Sequence, residues 1–350
     1  MHNDDRIDTI DIIKGFGILL VIFGHINTEG QLSRFFIYSF HMPLFFFFSG
    51  VVAHSSDNLM KDLIKSFRSL YIPFAFFTFI DILILAIKSF YHHDIDFLYL
   101  IKYSFRLLTG LSTPYFNVPI WFLFSLFTIR ILFHLICHGQ HSILLFSIIF
   151  VLCVAYSFLL YRFSIPYSLF LPTVISFPFF ILGWFYKNVV FQFIKNVPVN
   201  FLFYLGIGIV FLLLITGCKL NSTINIHGCT VGNSSLFYIN SFLGIFFTIC
   251  ICKIIDVWGM KNHIMNYIRM IFLFFGKNSV YILVTHYYLT RHIFPFILAK
   301  LGLSNYLYSI SVELILFFFT VLIMVPICIF FRKHLLFLFG KSTMSIYKNR

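Results

Sequence analysis

Residues 14–25 read KGFGILLVIFGH, an apolar run of membrane-spanning character closed by a lysine at one end and a histidine at the other. Eleven residues at helical rise separate Lys14 from His25 by about 16 Å, and at 100° per residue the two return to within roughly 20° of the same face. Asp11 falls on nearly the same stripe. One face of a single helix therefore carries Asp11 and Lys14 near its start and His25 near its end, while Gly15, Gly17 and Gly24 allow neighbours to approach closely.

The solvent of this helix follows from the rest of the chain. Of 350 residues 60% are hydrophobic and 11% are charged, and the mean hydropathy is +0.95, whereas soluble domains carry roughly 25% charged residues. The chain is therefore expected to be an all-α integral membrane protein. Its 52 phenylalanines are read as lipid-facing packing. A helix needs about 20 apolar residues to cross the hydrocarbon core. Ten spans are expected on this basis, at about 8–27, 32–53, 70–91, 118–137, 143–161, 168–186, 199–217, 236–255, 278–299 and 308–331. The runs are continuous rather than alternating in polarity, which excludes a β-barrel.

Lysine and arginine in the loops orient this set, because cytoplasmic loops keep an excess of them. With the N-terminus inside, the inner side collects Arg6, Lys61, Lys65, Arg68, Lys187, Lys195, Lys253, Lys261, Arg269, Lys277, Arg332, Lys333, Lys341, Lys348 and Arg350. The outer side keeps Arg34, Lys88, Lys102, Arg106, Arg162, Lys219, Arg291 and Lys300. Both termini are thus expected in the cytoplasm. Topology also accounts for the net charge of +13, so no nucleic acid partner is expected, although a basic inner face attracts anionic ligands and lipid head groups.

The start, MHNDDRIDTID, lacks the basic region of a cleavable signal peptide, so the first span is expected to stay in place. Cys218 and Cys229 share one outer loop, where a disulfide is one option. No repeat or separate soluble domain is visible, and 1–350 reads as one polytopic domain. The longest outer loop, 92–117, mixes aromatic and charged residues that suit either a glycan or solvent.

Polar groups inside a bilayer are costly and usually face a cavity or a partner, so they mark candidate sites. Alone, Lys14 would be read as snorkelling to the inner head groups, and His25 as interfacial. The second span, IYSFHMPLFFFFSG, adds His41 several residues inside its outer boundary. On adjacent antiparallel helices His25 and His41 then sit at matching depth in the outer half. Asp81, His286 and Glu313 are further embedded polar residues, each either orienting a catalytic histidine or bridging helices. Arg130 is read as snorkelling. The histidines are too scattered for a metal motif, and no metal is expected.

RIDTIDIIKGFGILLVIFGH followed by FIYSFHMPLFFFFSG resembles the start of the acyltransferase-3 family, bacterial membrane enzymes that O-acylate cell-surface glycans, and is most similar to its fucose 4-O-acetylase-related branch. The family's first-helix pattern, a basic residue, ten residues, then histidine, matches Lys14 and His25. Its R-x-x-R pattern before the third helix is approximated by KSFR, where Lys65 takes the first position and Arg68 the second. NVPIWFL, with Trp121, is similar to the fourth-helix region, and the resemblance runs over about 5–335.

The resemblance implies a cytosolic acyl-coenzyme A donor, with acetyl-CoA expected as substrate and no bound cofactor, and a sugar hydroxyl of a capsule, O-antigen or exopolysaccharide as acceptor. Coenzyme A is polyanionic, so Lys14, Lys65 and Arg68 suit its phosphates. A histidine near neutrality suits deprotonation of a sugar hydroxyl, which selects His25. A covalent acyl-histidine is the variant route. His41, Ser49 or Trp121 are candidates to stabilise the oxyanion. The competing reading is a transporter or flippase of a glycan or lipid-linked intermediate, whose signature would be paired interrupted helices in related halves. The polar weight falls instead on the first two or three spans. The expected setting is the bacterial inner membrane, with lipid and glycan as partners.

Overall fold

A computed structural model describes residues 3–26, 32–91, 97–139, 142–159, 167–221, 224–303 and 309–340, without the side chains of 3–7. Arg162, Lys341, Lys348, Arg350 and residues 92–96 of the long outer loop lie outside the described residues. The described chain is helical, with one isolated antiparallel bridge between Asn225 and Thr230. Among the described residues seven helices are long and apolar enough to cross a membrane, and two bent helix pairs each have the length and composition of a further broken span or a re-entrant loop.

The helices are α1 (Asn3–Ile26), α2 (Leu32–Val51), α3 (Leu59–Ser66), α4 (Ile72–Tyr91), α5 (Phe97–Leu108), α6 (Trp121–Cys137), α7 (Ser142–Leu159) and α8 (Phe170–Phe185). They continue as α9 (Lys187–Asn196), α10 (Phe201–Leu220), α11 (Ser234–Gly259), α12 (His263–Lys277), α13 (Ser279–Tyr288), α14 (Phe294–Lys300) and α15 (Ile310–His334). Asparagine starts four of them: Asn58, Asn200, Asn233 and Asn262 each accept a backbone N–H in the first turn of α3, α10, α11 and α12. Such caps satisfy donors that a helix start leaves without partners.

Of the ten expected spans, seven coincide with the long apolar helices and two with the bent pairs, while the expected 32–53 span folds as α2, which is not among the qualifying helices. The membrane-spanning, all-α reading holds. One element departs from expectation. The stretch before Lys277 reads as a basic inner loop in the sequence, yet it folds as the 15-residue α12, bent by 79° against the Ser279–Lys300 segment. Lys253 is likewise no loop charge. It is buried within α11 and its ammonium donates to Phe193 O at 2.9 Å and Ile194 O at 2.6 Å, closing the C-terminal turn of α9.

The chain divides into two compact units. The first comprises residues 1–53 and 179–324. In it α1 packs against α2, α11, α12 and α13. Gly15 and Gly276 permit the closest approach, because a Cβ on Gly15 would strike the Phe272 carbonyl and one on Gly276 the Asp11 carbonyl. These glycines bring α1 and α12 together backbone to backbone.

The second unit comprises 54–178 and 325–350. Here a π-helical turn, Phe67–Tyr71, joins α3 to α4, and Phe74 of α4 packs against Phe124 of α6 at 5.2 Å with the rings tilted by 54°. Asp81 is buried on α4 and accepts the backbone N–H of Tyr115 at 2.7 Å and of Phe116 at 3.0 Å. Its carboxylate thereby pins the turn that leads into Val118–Ile120 and Trp121.

Cys218 and Cys229 are both free thiols, so the disulfide is not formed in this structure. Cys218 is buried at the end of α10 and donates toward Ser39 Oγ, while Cys229 occupies the Asn225–Thr230 turn with φ 58°.

Candidate active site

The two ends of α1 carry different chemistry. At its start, Asp11 and Lys14 pair at 2.5 Å across one turn. Beside them Arg269 of α12 donates Nε to Asp256 at 2.7 Å and a terminal nitrogen to Asp8 at 3.1 Å. Thr9 Oγ1 donates to Asp256 at 2.6 Å, and Lys277 lies 3.6 Å from Asp8. Three carboxylates and three cations from α1, α11 and α12 thus hold this end together. Lys14 keeps 35% of its side chain exposed despite its partner, so an incoming anion can compete with Asp11 for it.

At the far end rings replace ion pairs. His25 is half-buried, and its ring centroid lies 5.2 Å from that of His286 and 5.1 Å from that of Tyr287, both on α13. The Tyr38 hydroxyl of α2 lies 3.4 Å from His25 Nδ1. Tyr38 in turn packs 4.9 Å from His41 and carries the Arg34 guanidinium over its face at 4.8 Å. His25 and His41 thus both contact the Tyr38 ring, and α13 adds a third imidazole.

Local backbone fixes two of the three rings. His41 Nδ1 lies 2.8 Å from Ile37 O and His286 Nδ1 lies 2.7 Å from Ile282 O, each one helical turn back. A carbonyl oxygen only accepts, so Nδ1 carries the proton in both rings and Nε2 is left with a lone pair. His286 is fully buried and its Nε2 has no hydrogen-bond partner among the described residues. His25 makes no such backbone bond among those described.

The helix carrying His286 loosens just beyond it. A π-helical turn, Leu289–Ile293, follows α13 and holds Arg291 and His292, and such turns often occur at functional sites. His292 packs 6.0 Å from Tyr287.

The other sequence candidates distribute as follows. Glu313 is buried in the first turn of α15. Phe317, one turn later on the same stripe, meets Phe23 of α1 edge-on at 5.5 Å, which brings Glu313 toward the His25 end of α1. Ser49 lies two turns beyond His41 on α2, about 12 Å along the axis, and is no part of the ring cluster. Trp121 is buried at the start of α6 in the second unit. Asp81 accepts the backbone N–H groups of Tyr115 and Phe116. Lys65 and Arg68 are exposed, one on α3 and one on the following π turn. Beside them Asp62 accepts the Ser56 N–H at 2.7 Å and faces His134 Nδ1 at 3.5 Å.

Tyr38, Tyr287, Arg34 and Arg291 join the cluster without standing out in the sequence. Tyrosines carry little signal in a chain that is 21% aromatic, and the two arginines read there as outer-loop charges.

A family model described as an acyltransferase domain, of the acyltransferase-3 type, matches residues 7–333. No curated protein and no solved structure matches the chain.

Proposed function

This chain belongs to the acyltransferase-3 family of membrane acyltransferases, and on that premise we propose that it transfers an acyl group, acetyl in the first instance, from cytosolic acyl-coenzyme A to a sugar hydroxyl of a bacterial surface glycan. The observation that carries this reading is the helix α1 itself. It presents a half-exposed lysine at one end and a half-buried histidine at the other, with three further rings around the histidine.

Lys14 would meet the donor's phosphates, and Lys65 and Arg68 are exposed cations of the same chemistry. The thioester would extend along α1 toward His25. With His25 Nδ1–H donating to the Tyr38 hydroxyl oxygen, Nε2 would carry the lone pair that acts. In direct transfer it removes the hydroxyl proton, the oxygen attacks the thioester carbonyl, the carbon–sulfur bond breaks and the proton leaves with the coenzyme A thiolate. In the relay variant Nε2 attacks the thioester carbonyl and expels the coenzyme A thiolate; the sugar hydroxyl then attacks the acyl-imidazole, the carbon–nitrogen bond breaks, and the hydroxyl proton passes through the freed imidazole to the thiolate. His41, whose Nδ1–H is committed to Ile37 O, has only a lone pair to offer and would accept from a substrate hydroxyl rather than support the oxyanion. Glu313, on the α1-facing stripe of α15, would orient the cluster. Family membership favours this group transfer over transport of a glycan. With the positive-inside bias, both termini would lie in the cytoplasm of a bacterial inner membrane.

The test is mass spectrometry of surface glycans from wild-type and deletion strains, paired with labelled acetyl-CoA supplied to membranes of each. The expected result is an added mass of about 42 Da per modified sugar in the wild type only, matching an acetyl ester, with label in the glycan. Identical glycans in both strains would remove the proposal.

A further inference from the structure

His286 poses a problem that the proposed reaction does not use. Its Nδ1–H is consumed by Ile282 O, its ring is fully buried, and its Nε2 lone pair has no partner among the described residues. A buried acceptor without a donor costs free energy, and in a membrane no bulk water offsets it. His41 repeats the arrangement on α2, with Nδ1–H on Ile37 O and Nε2 left to accept. The rings therefore offer lone pairs, and what they lack is donors.

The missing donor has a defined place. His25 and His286 are 5.2 Å apart between ring centroids, tilted by 41°. A ligand that gives its proton to His25 and also satisfies His286 carries a second donor close to the first, an arrangement that two hydroxyls on adjacent sugar carbons supply. A lone alcohol reaches one ring and leaves the other orphaned.

Resting on the acyl-transfer reading above, we infer that the acceptor presents a vicinal diol. One hydroxyl reacts through His25, and its neighbour donates a hydrogen bond to His286 Nε2. His286 is thus a binding residue that selects the acceptor and sets which hydroxyl is esterified. The neighbouring hydroxyl keeps its proton throughout, so the proton and acyl balance of the transfer is unchanged. A site built to bond a hydroxyl rejects an analogue lacking it by as much as ~10⁴-fold. A hydroxyl whose neighbouring positions carry only ether or glycosidic oxygens, which cannot donate, is excluded as acceptor.

Periodate tests this whichever sugar is the acceptor, since it cleaves a free vicinal diol but spares one in which either oxygen is esterified. Glycans from wild-type cells should consume less periodate at one sugar than those from the deletion strain, because a diol there is blocked, and mild alkali should restore the full consumption. His286→Phe, which keeps ring volume but no acceptor, should lower ester per membrane protein at least about tenfold. His286→Gln, which restores an acceptor oxygen, should recover part of it. An ester at a position with no adjacent hydroxyl would overturn the inference while leaving acyl transfer intact. So would full esterification by His286→Phe. Absence of any ester dependent on this protein would instead overturn the acyl-transfer reading on which it rests.

Discussion

The two ends of α1 share a helix and differ in how completely their polar atoms are satisfied. At the Asp8–Lys14 end, each carboxylate of Asp8, Asp11 and Asp256 faces a lysine or arginine within 3.6 Å. At the His25 end, the Tyr38–His25 contact is long at 3.4 Å and His286 Nε2 has no partner among the described residues. A saturated network resists change and holds helices in register. An unsaturated one is ready for a ligand that completes it. Apart from Lys14, which is partly exposed and assigned to the donor, the difference separates the residues that build this protein from those that would use its acceptor.

That separation can be attacked at either end. The largest expected effect is on chemistry: His25→Ala should lower transfer by about 10²- to 10⁴-fold, the range of a lost general base, with membrane protein level unchanged. Next, Arg269→Ala leaves Asp256 and Asp8 without their shared cation and should destabilise the fold by on the order of 3 kcal/mol, visible as lower membrane yield and earlier thermal aggregation in detergent. Smaller is Lys14→Ala, expected to raise the acyl-coenzyme A KM by about tenfold, the scale of one lost charge-assisted contact, with little change in the dependence on glycan. Lys14→Arg should recover most of it.

The smallest effect falls on the Asn225–Thr230 turn. Burial pushes the Cys229 thiol up to about 12, so its thiolate is scarce from pH 7 to 9 and alkylation there should be slow, rising only as pH nears that value. Cys229→Gly should leave activity unchanged and hold or slightly raise stability, because φ 58° suits glycine. Rapid labelling at neutral pH would show that the thiol is not buried.

How much of the molecule is legible in its sequence follows from what each signal depends on. The spans are readable because hydrophobic length needs no partner. His25 and His41 are readable because depth follows from position along antiparallel helices. His286 is visible as an embedded polar residue, but its lone pair depends on Ile282 O and on burial, which only the fold supplies. The helix α12 escapes a sequence reading because its 15 residues, with Arg269 and Lys277, resemble a basic loop. Its helical state is secured by packing on α1 at Gly15 and Gly276, a tertiary effect. Asp81 suits a histidine by charge alone, and only the placement of the Tyr115 and Phe116 amides beside it shows what it binds. Ser49 and Trp121 group with the histidines by chemistry alone, and the helix axis separates Ser49 from them.

The contrast between the two ends is tested most directly by expressing His25→Ala and Arg269→Ala in the same deletion strain and measuring, for each, protein in the membrane and ester on the surface glycan. The account predicts opposite patterns: His25→Ala at wild-type level with no ester, and Arg269→Ala at reduced level with ester per molecule preserved. Full esterification of the glycan by His25→Ala would contradict it.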